Sequence, residues 1–201
     1  MQVRHGECTK ILRLRRKDSP LSIAYRPPSS RETMAKESFF LRAQVTSNGV
    51  TFAQTTIPLG SYVDVLGQAI LKIHGVYPAV RNAGNNLPYN MGLTDAEGSL
   101  SWQLTTQTQT DIQGLTDKSV IASGGVMQSF SSKPVMIMST LLEDSNVQNF
   151  TNGYLVATED IYLGVDRSTG TGDECDVDLI LECSVERMTT SRAMALALSQ
   201  Q

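Results

Sequence analysis

CDVDLILECSVER, residues 175–187, alternates more cleanly than any other run in the chain. Val177, Leu179, Leu181, Cys183 and Val185 fall on one face of an extended strand, and Asp176, Asp178, Glu182, Ser184 and Glu186 fall on the other. The pattern is that of a half-buried β-strand. A strand of this length needs neighbours on both flanks and a second apolar layer beneath it. The expected fold is therefore all-β, a two-sheet antiparallel β-sandwich.

The chain of 201 residues fits one large domain with appendages and buries a substantial core. Aromatic residues make up 6% and charged residues 18%. The surface must then be covered by Ser, Thr, Asn, Gln and Gly, a composition suited to sandwiches that pack against neighbours. The net charge of -3 hides an asymmetry. Residues 1–36 hold nine basic and three acidic residues, about +6, so the remainder holds eight basic and seventeen acidic, about -9.

Cys8, Cys175 and Cys183 form no disulfide framework, because the last two share a strand face too far apart to bridge. An odd, sparse count reads as reduced thiols. MQVRHGECTKIL lacks the apolar core of a secretory signal, and no segment is long and apolar enough to span a bilayer. No membrane contact is expected.

Residues 1–37 read as a basic arm. Lys10, Arg13, Arg15, Arg16 and Lys17 are interleaved with Ile11, Leu12 and Leu14, and Pro20, Pro27 and Pro28 then discourage regular structure. Such a segment adds to a sheet edge or threads beneath a neighbour, or it meets nucleic-acid phosphates through counterion release, or it is a disordered tail.

Phe39 to Thr46 alternates, and Asn48-Gly49 suits a two-residue hairpin loop with Val45 opposite Phe52. Ser61 to Asp64 carries a short capping pattern. Ala69 to Val80 reads as a buried strand broken near Pro78, and 82–99 as a long polar insertion. Trp102 alternates with polar neighbours as a core anchor. Gly124-Gly125 marks a bulge or bend between Val120 and Met127, and Val135 to Met138 suits a strand buried on both faces. Glu143 to Gly153 is turn-rich, and Tyr154 to Asp166 gives two extended pieces around Glu159-Asp160. In TTSRAMALALSQQ, Ser191 is placed to cap a short terminal helix.

Chemistry-bearing patterns are sparse. Asp166, Asp173, Glu174 and Asp176 offer oxygen ligands, but their spacing is not that of an EF-hand, so the loop is read as a turn. No metal or cofactor is expected. His74 reads as a satisfied strand residue, and neither histidine stands in a nucleophile motif. Glu159 and Asp160 are adjacent, so in an extended chain they point to opposite faces. The chain is not expected to be an enzyme or to hold a small-molecule substrate.

A basic, proline-bearing arm ahead of about eight strands, with long polar loops and a small terminal helix, resembles the layout of single jelly-roll viral capsid proteins. The resemblance implies a jelly-roll sandwich over residues 38–188 and a helical tail over 189–201. It also implies self-assembly into a shell, localisation in the virion after assembly inside the host cell, and an arm that reaches neighbouring copies or genome. Candidate partners for the arm within such a shell are Asp178, Glu182 and Glu186. The alternative is a β-sandwich binding module for carbohydrate or a protein ligand, with Trp102 and Tyr89 at its site.

Overall fold

The computed structural model describes residues 37–66, 68–94, 97–130, 136–139 and 148–200, with side chains omitted at 130 and 136–139. Lys10, Arg13, Arg15, Arg16 and Lys17 lie outside the described residues. Among those described, nine strands precede one helix: β1 (Phe39–Thr46), β2 (Ala53–Pro58), β3 (Ala69–Asn82), β4 (Glu97–Thr105), β5 (Val120–Phe130), β6 (Met136–Ser139), β7 (Gln148–Val156), β8 (Asp160–Arg167), β9 (Cys175–Arg187) and α1 (Thr190–Ser199). The alternating run 175–187 is β9 from end to end. Its flanks are β1 and β3, both antiparallel to it.

One sheet has the order β1-β9-β3-β7, the other β2-β8-β4-β5-β6. The pairings nest. β4 pairs β5, β3 pairs β7, β2 pairs β8 and β1 pairs β9, so the chain is one long hairpin rolled on itself with β6 added at an edge. That is the jelly-roll sandwich. Lys36–Gln201 is one compact unit.

The inward faces meet in an apolar interior. Leu71, Ile73 and Val76 of β3 and Val177, Leu179 and Leu181 of β9 close on Leu100, Trp102 and Leu104 of β4 and Ile161, Leu163 and Val165 of β8. Each buried Leu or Ile side chain contributes about 1.5–3 kcal/mol by leaving water. Trp102 is 2% exposed and lies against Gly124, where a Cβ would stand 2.7 Å from Nε1. Gly124 is there for close approach to the indole, not for a bend.

Five local expectations are corrected. Asn48-Gly49 does not close a hairpin. β1 and β2 belong to different sheets, and the turn runs from Asn48 to Thr51 at the corner between them, with Gly49 at φ 60. β3 is not broken at Pro78; its irregularity is a bulge between Ile73 and Gly75. Among the described residues, pairing with β7 ends at Val76, before Pro78 is reached. Ser61 to Asp64 is a turn closed by Tyr62 and Val63 N–H groups on Leu59 O, and β7 already begins at Gln148 within the turn-rich stretch. The α1 N-cap is Thr189, without a side-chain cap bond, rather than Ser191.

Candidate assembly surfaces

On the outer face of the four-stranded sheet, the acids of β9 are engaged by β3. Arg81 Nε bonds Asp178 Oδ2, Tyr77 OH donates to Glu182 at 3.1 Å, and Lys72 Nζ sits 3.0 Å from Glu186. The direct cross-strand partners of Arg81, Tyr77 and Lys72 are Asp176, Ile180 and Ser184. Each contact therefore reaches diagonally, two residues further along β9. The acids are spaced four and four, their partners five and four. The extra residue between Lys72 and Tyr77 is the bulge, which keeps the ladder in step. The bond to Glu182 raises the Tyr77 hydroxyl pKa, and the bond to Asp178 raises that of the Arg81 guanidinium. Sequence reading found the acids and missed their partners, because the bulge hides the matching period.

His74 Nε2 lies 2.8 Å from Ser184 Oγ on the same face. Ser184 is 1% exposed, and the pair satisfies two polar groups where the sheet is covered. Burial pushes the Cys175 thiol up to about 11 and the Cys183 thiol up to about 12, which keeps both protonated and unreactive.

At one end of the sandwich, the turns after β1, β3 and β8 interlock. Arg167 is buried and donates to Gly49 O through Nε, at 2.9 Å, and to Asp173 O through Nη1. Tyr89 OH also donates to Asp173 O, at 3.1 Å, and burial raises its pKa. Gly172 N bonds Met91 O, and Thr94 N bonds Gly170 O. Of the acids considered as oxygen ligands, Asp166 accepts the Arg167 N–H and Asp176 accepts from Thr46. Trp102 is in the core while the Tyr89 hydroxyl is tied to this end, so the two do not present a common aromatic surface.

The opposite end carries α1. Ala193, with Leu196 and Ala197 beside it, packs on Ile70 and Ala157. Gln200 fixes the helix end: its amide donates to Leu155 O at 2.7 Å and accepts from Ala157 N at 3.0 Å, while its carbonyl accepts from Thr106 and Gln107. The Gln200 amide thus occupies edge groups of β7 as a parallel strand would. Beside this clamp lies a cavity of about 380 Å³ with Val65, Ala157 and Ala197 among its walls and Glu159 and Asp160 both lining it. The two acids were expected on opposite faces. The bend between β7 and β8 brings them to one cavity, because Glu159 lies before the strand begins.

The loop from Thr106 to Ser119 was not singled out in sequence. It folds back on the five-stranded sheet, where Gln103 Nε2 donates to Asp111 O and Gln103 Oε1 accepts from Gln113 N. No exposure remains at Gln103. A polar residue in an alternating strand reads as solvent-facing, which concealed this anchor.

No family model matches this chain, and no curated protein sequence matches it. Among solved structures it is similar to VP1 of Trichodysplasia spinulosa-associated polyomavirus in complex with GM1 oligosaccharide, at 8% identity over 78% of this chain and 97% of that chain, TM-score 0.44. It is similar also to the unassembled VP1 pentamer of Merkel cell polyomavirus, at 7% identity over 75% and 96%, TM-score 0.40. A third is Desmodium yellow mottle tymovirus, at 12% identity over 76% and 90%, TM-score 0.27. The chain resembles viral jelly-roll capsid proteins in fold; the assignment of the jelly roll rests on its own strand order.

Proposed function

We propose that this chain is a structural subunit that assembles with copies of itself into a closed shell of the viral-capsid kind, and that it is not a catalyst. The strand order carries the reading. Nested pairing yields the sandwich that coat proteins use, with an interior filled by apolar side chains, which leaves edges, end loops and arm to make contacts. The parts are an arm over residues 1–37, a sandwich over 38–188 and a helical tail over 189–201. Lys10, Arg13, Arg15, Arg16 and Lys17 are the arm's contact groups, toward neighbouring subunits or genome phosphates. The virion is the place of function, with assembly inside the host cell. Among the described residues no helix is long and apolar enough to cross a membrane.

The binding-module alternative loses its aromatic platform, since Trp102 is enclosed and the Tyr89 hydroxyl is held by Asp173 O. Exposed Phe40, Leu66, Leu87, Leu115 and Leu198 supply apolar points of contact on the outside. Size-exclusion chromatography with light scattering, at about 50 mM and about 500 mM salt, tests the assembly because screening separates charge-driven contacts from apolar ones. Discrete, very large, salt-sensitive particles are expected; a monomer at every concentration and salt overturns the reading.

A further inference from the structure

We propose that the cavity between α1 and the β7–β8 bend receives a basic side chain from the Lys10–Lys17 stretch of a second copy. The inference rests on the assembly reading above and names one of its contacts.

Glu159 and Asp160 line the cavity, and among the described residues neither carboxylate takes a hydrogen bond or ion pair. The acids of β9 differ in this respect, since Asp178, Glu182 and Glu186 already have partners on β3. Val65, Ala157 and Ala197 give the cavity apolar walls. Apolar walls in the same cavity as two carboxylates, Glu159 exposed and Asp160 half-buried, suit a long cationic side chain: the methylene stem lies on the apolar surface and the charged head meets the acids. Lys10 and Lys17, the two lysines of the stretch, carry this chemistry: a flexible four-carbon stem ending in a compact ammonium.

The chain supplies this chemistry ahead of β1. Lys10, Arg13, Arg15, Arg16 and Lys17 alternate with Ile11, Leu12 and Leu14, and residues 1–36 carry about +6 against about -9 in the remainder. The start of β1 also lies at the cavity's end of the sandwich. Phe39 pairs with Cys183 near the end of β9, and its ring stacks on Tyr62 at 4.7 Å, in the connection whose Val65 lines the cavity. Extended, 36 residues span up to roughly 120 Å, far enough to reach an adjacent copy.

The clamp at Gln200 keeps the receiving walls in place. Thr106 and Ala157, both lining residues, bond Gln200 directly. A neighbour's side chain therefore enters a preformed site, which lowers the ordering cost of docking.

Zero-length carbodiimide coupling tests the contact on the full chain, since it joins a lysine amine to a carboxylate with loss of one water. Isotopically heavy and light copies are mixed before assembly, coupled, digested and read by mass spectrometry. The expected product joins Lys10 or Lys17 to Glu159 or Asp160 in mixed heavy–light pairs. It should disappear in E159Q/D160N, whose Trp102 emission should match wild type. Particles that form while Lys10 and Lys17 couple elsewhere or nowhere overturn the cavity contact and leave assembly standing. Coupling confined to isotopically pure pairs overturns the second copy as donor. Monomers at every salt overturn assembly and the contact together.

Discussion

Arg81 bonds Asp178, not Asp176, its direct cross-strand neighbour. The diagonal repeats at Tyr77–Glu182 and Lys72–Glu186, so the acidic row of β9 is matched within the chain by a row on β3. Two of the three carboxylates thus face a cation and the third takes a tyrosine hydrogen bond, which leaves only one net negative charge on the row for an outside partner. D178N/E182Q/E186Q is therefore expected to assemble like wild type in light scattering, with a denaturation midpoint close to that of the parent. Loss of particles in a folded triple variant would return the arm's docking to this face.

Gln200 completes the edge of β7 at Leu155 and Ala157. Gln200→Ala leaves those groups and the α1 anchor without the amide, and it should cost about 1–3 kcal/mol, the penalty for buried polar groups losing their partner. Urea denaturation measures the loss. Amide exchange at Ala157 should accelerate at the same time, while the loop end around Arg167 keeps its protection.

Trp102 leaves no room at Gly124. Gly124→Ala forces a methyl against the indole and should destabilise by about 1–3 kcal/mol through overpacking. Trp102 is the sole tryptophan, so its fluorescence reports the change directly. Gly114→Ala, at an exposed turn where the nearest atom to a Cβ is 3.8 Å away, should leave the emission unchanged.

Cys175 and Cys183 hold their protons in the folded chain up to about 11 and about 12, against an ordinary value of 9.0. The unfolded chain ionises first, so between these values the native state binds more protons and stability falls as pH rises. The contribution is intact below 9.0 and is lost through about 12. C175A/C183A should flatten this part of the pH profile of the urea midpoint. Alkylation at pH 8 should spare both thiols until denaturant is added.

The strand framework was legible wherever one face is apolar and the other polar. Residues 175–187 gave β9 without a shift, since Val177, Leu179 and Leu181 could only face inward. What escaped depends on partners distant in sequence. Asn48-Gly49 reads as a hairpin locally, but the outermost pairing joins β1 to β9, whose sequence neighbour is not β1. Gln200 sits in a polar tail and Gln103 in a polar alternation, and both are anchors only because another segment folds over them. Glu159 and Asp160 share a cavity because a bend lies beside them, which strand periodicity does not reveal. Polar satisfaction is a property of the assembled fold, whereas hydrophobic alternation is written locally.

Negative-stain electron microscopy of the full chain at low ionic strength bears most directly on the proposal that this jelly roll is a shell subunit. Closed particles of uniform diameter are expected, reverting to folded subunits when residues 1–36 are removed. A full-length preparation that stays folded yet shows only isolated subunits across concentration and salt would contradict it.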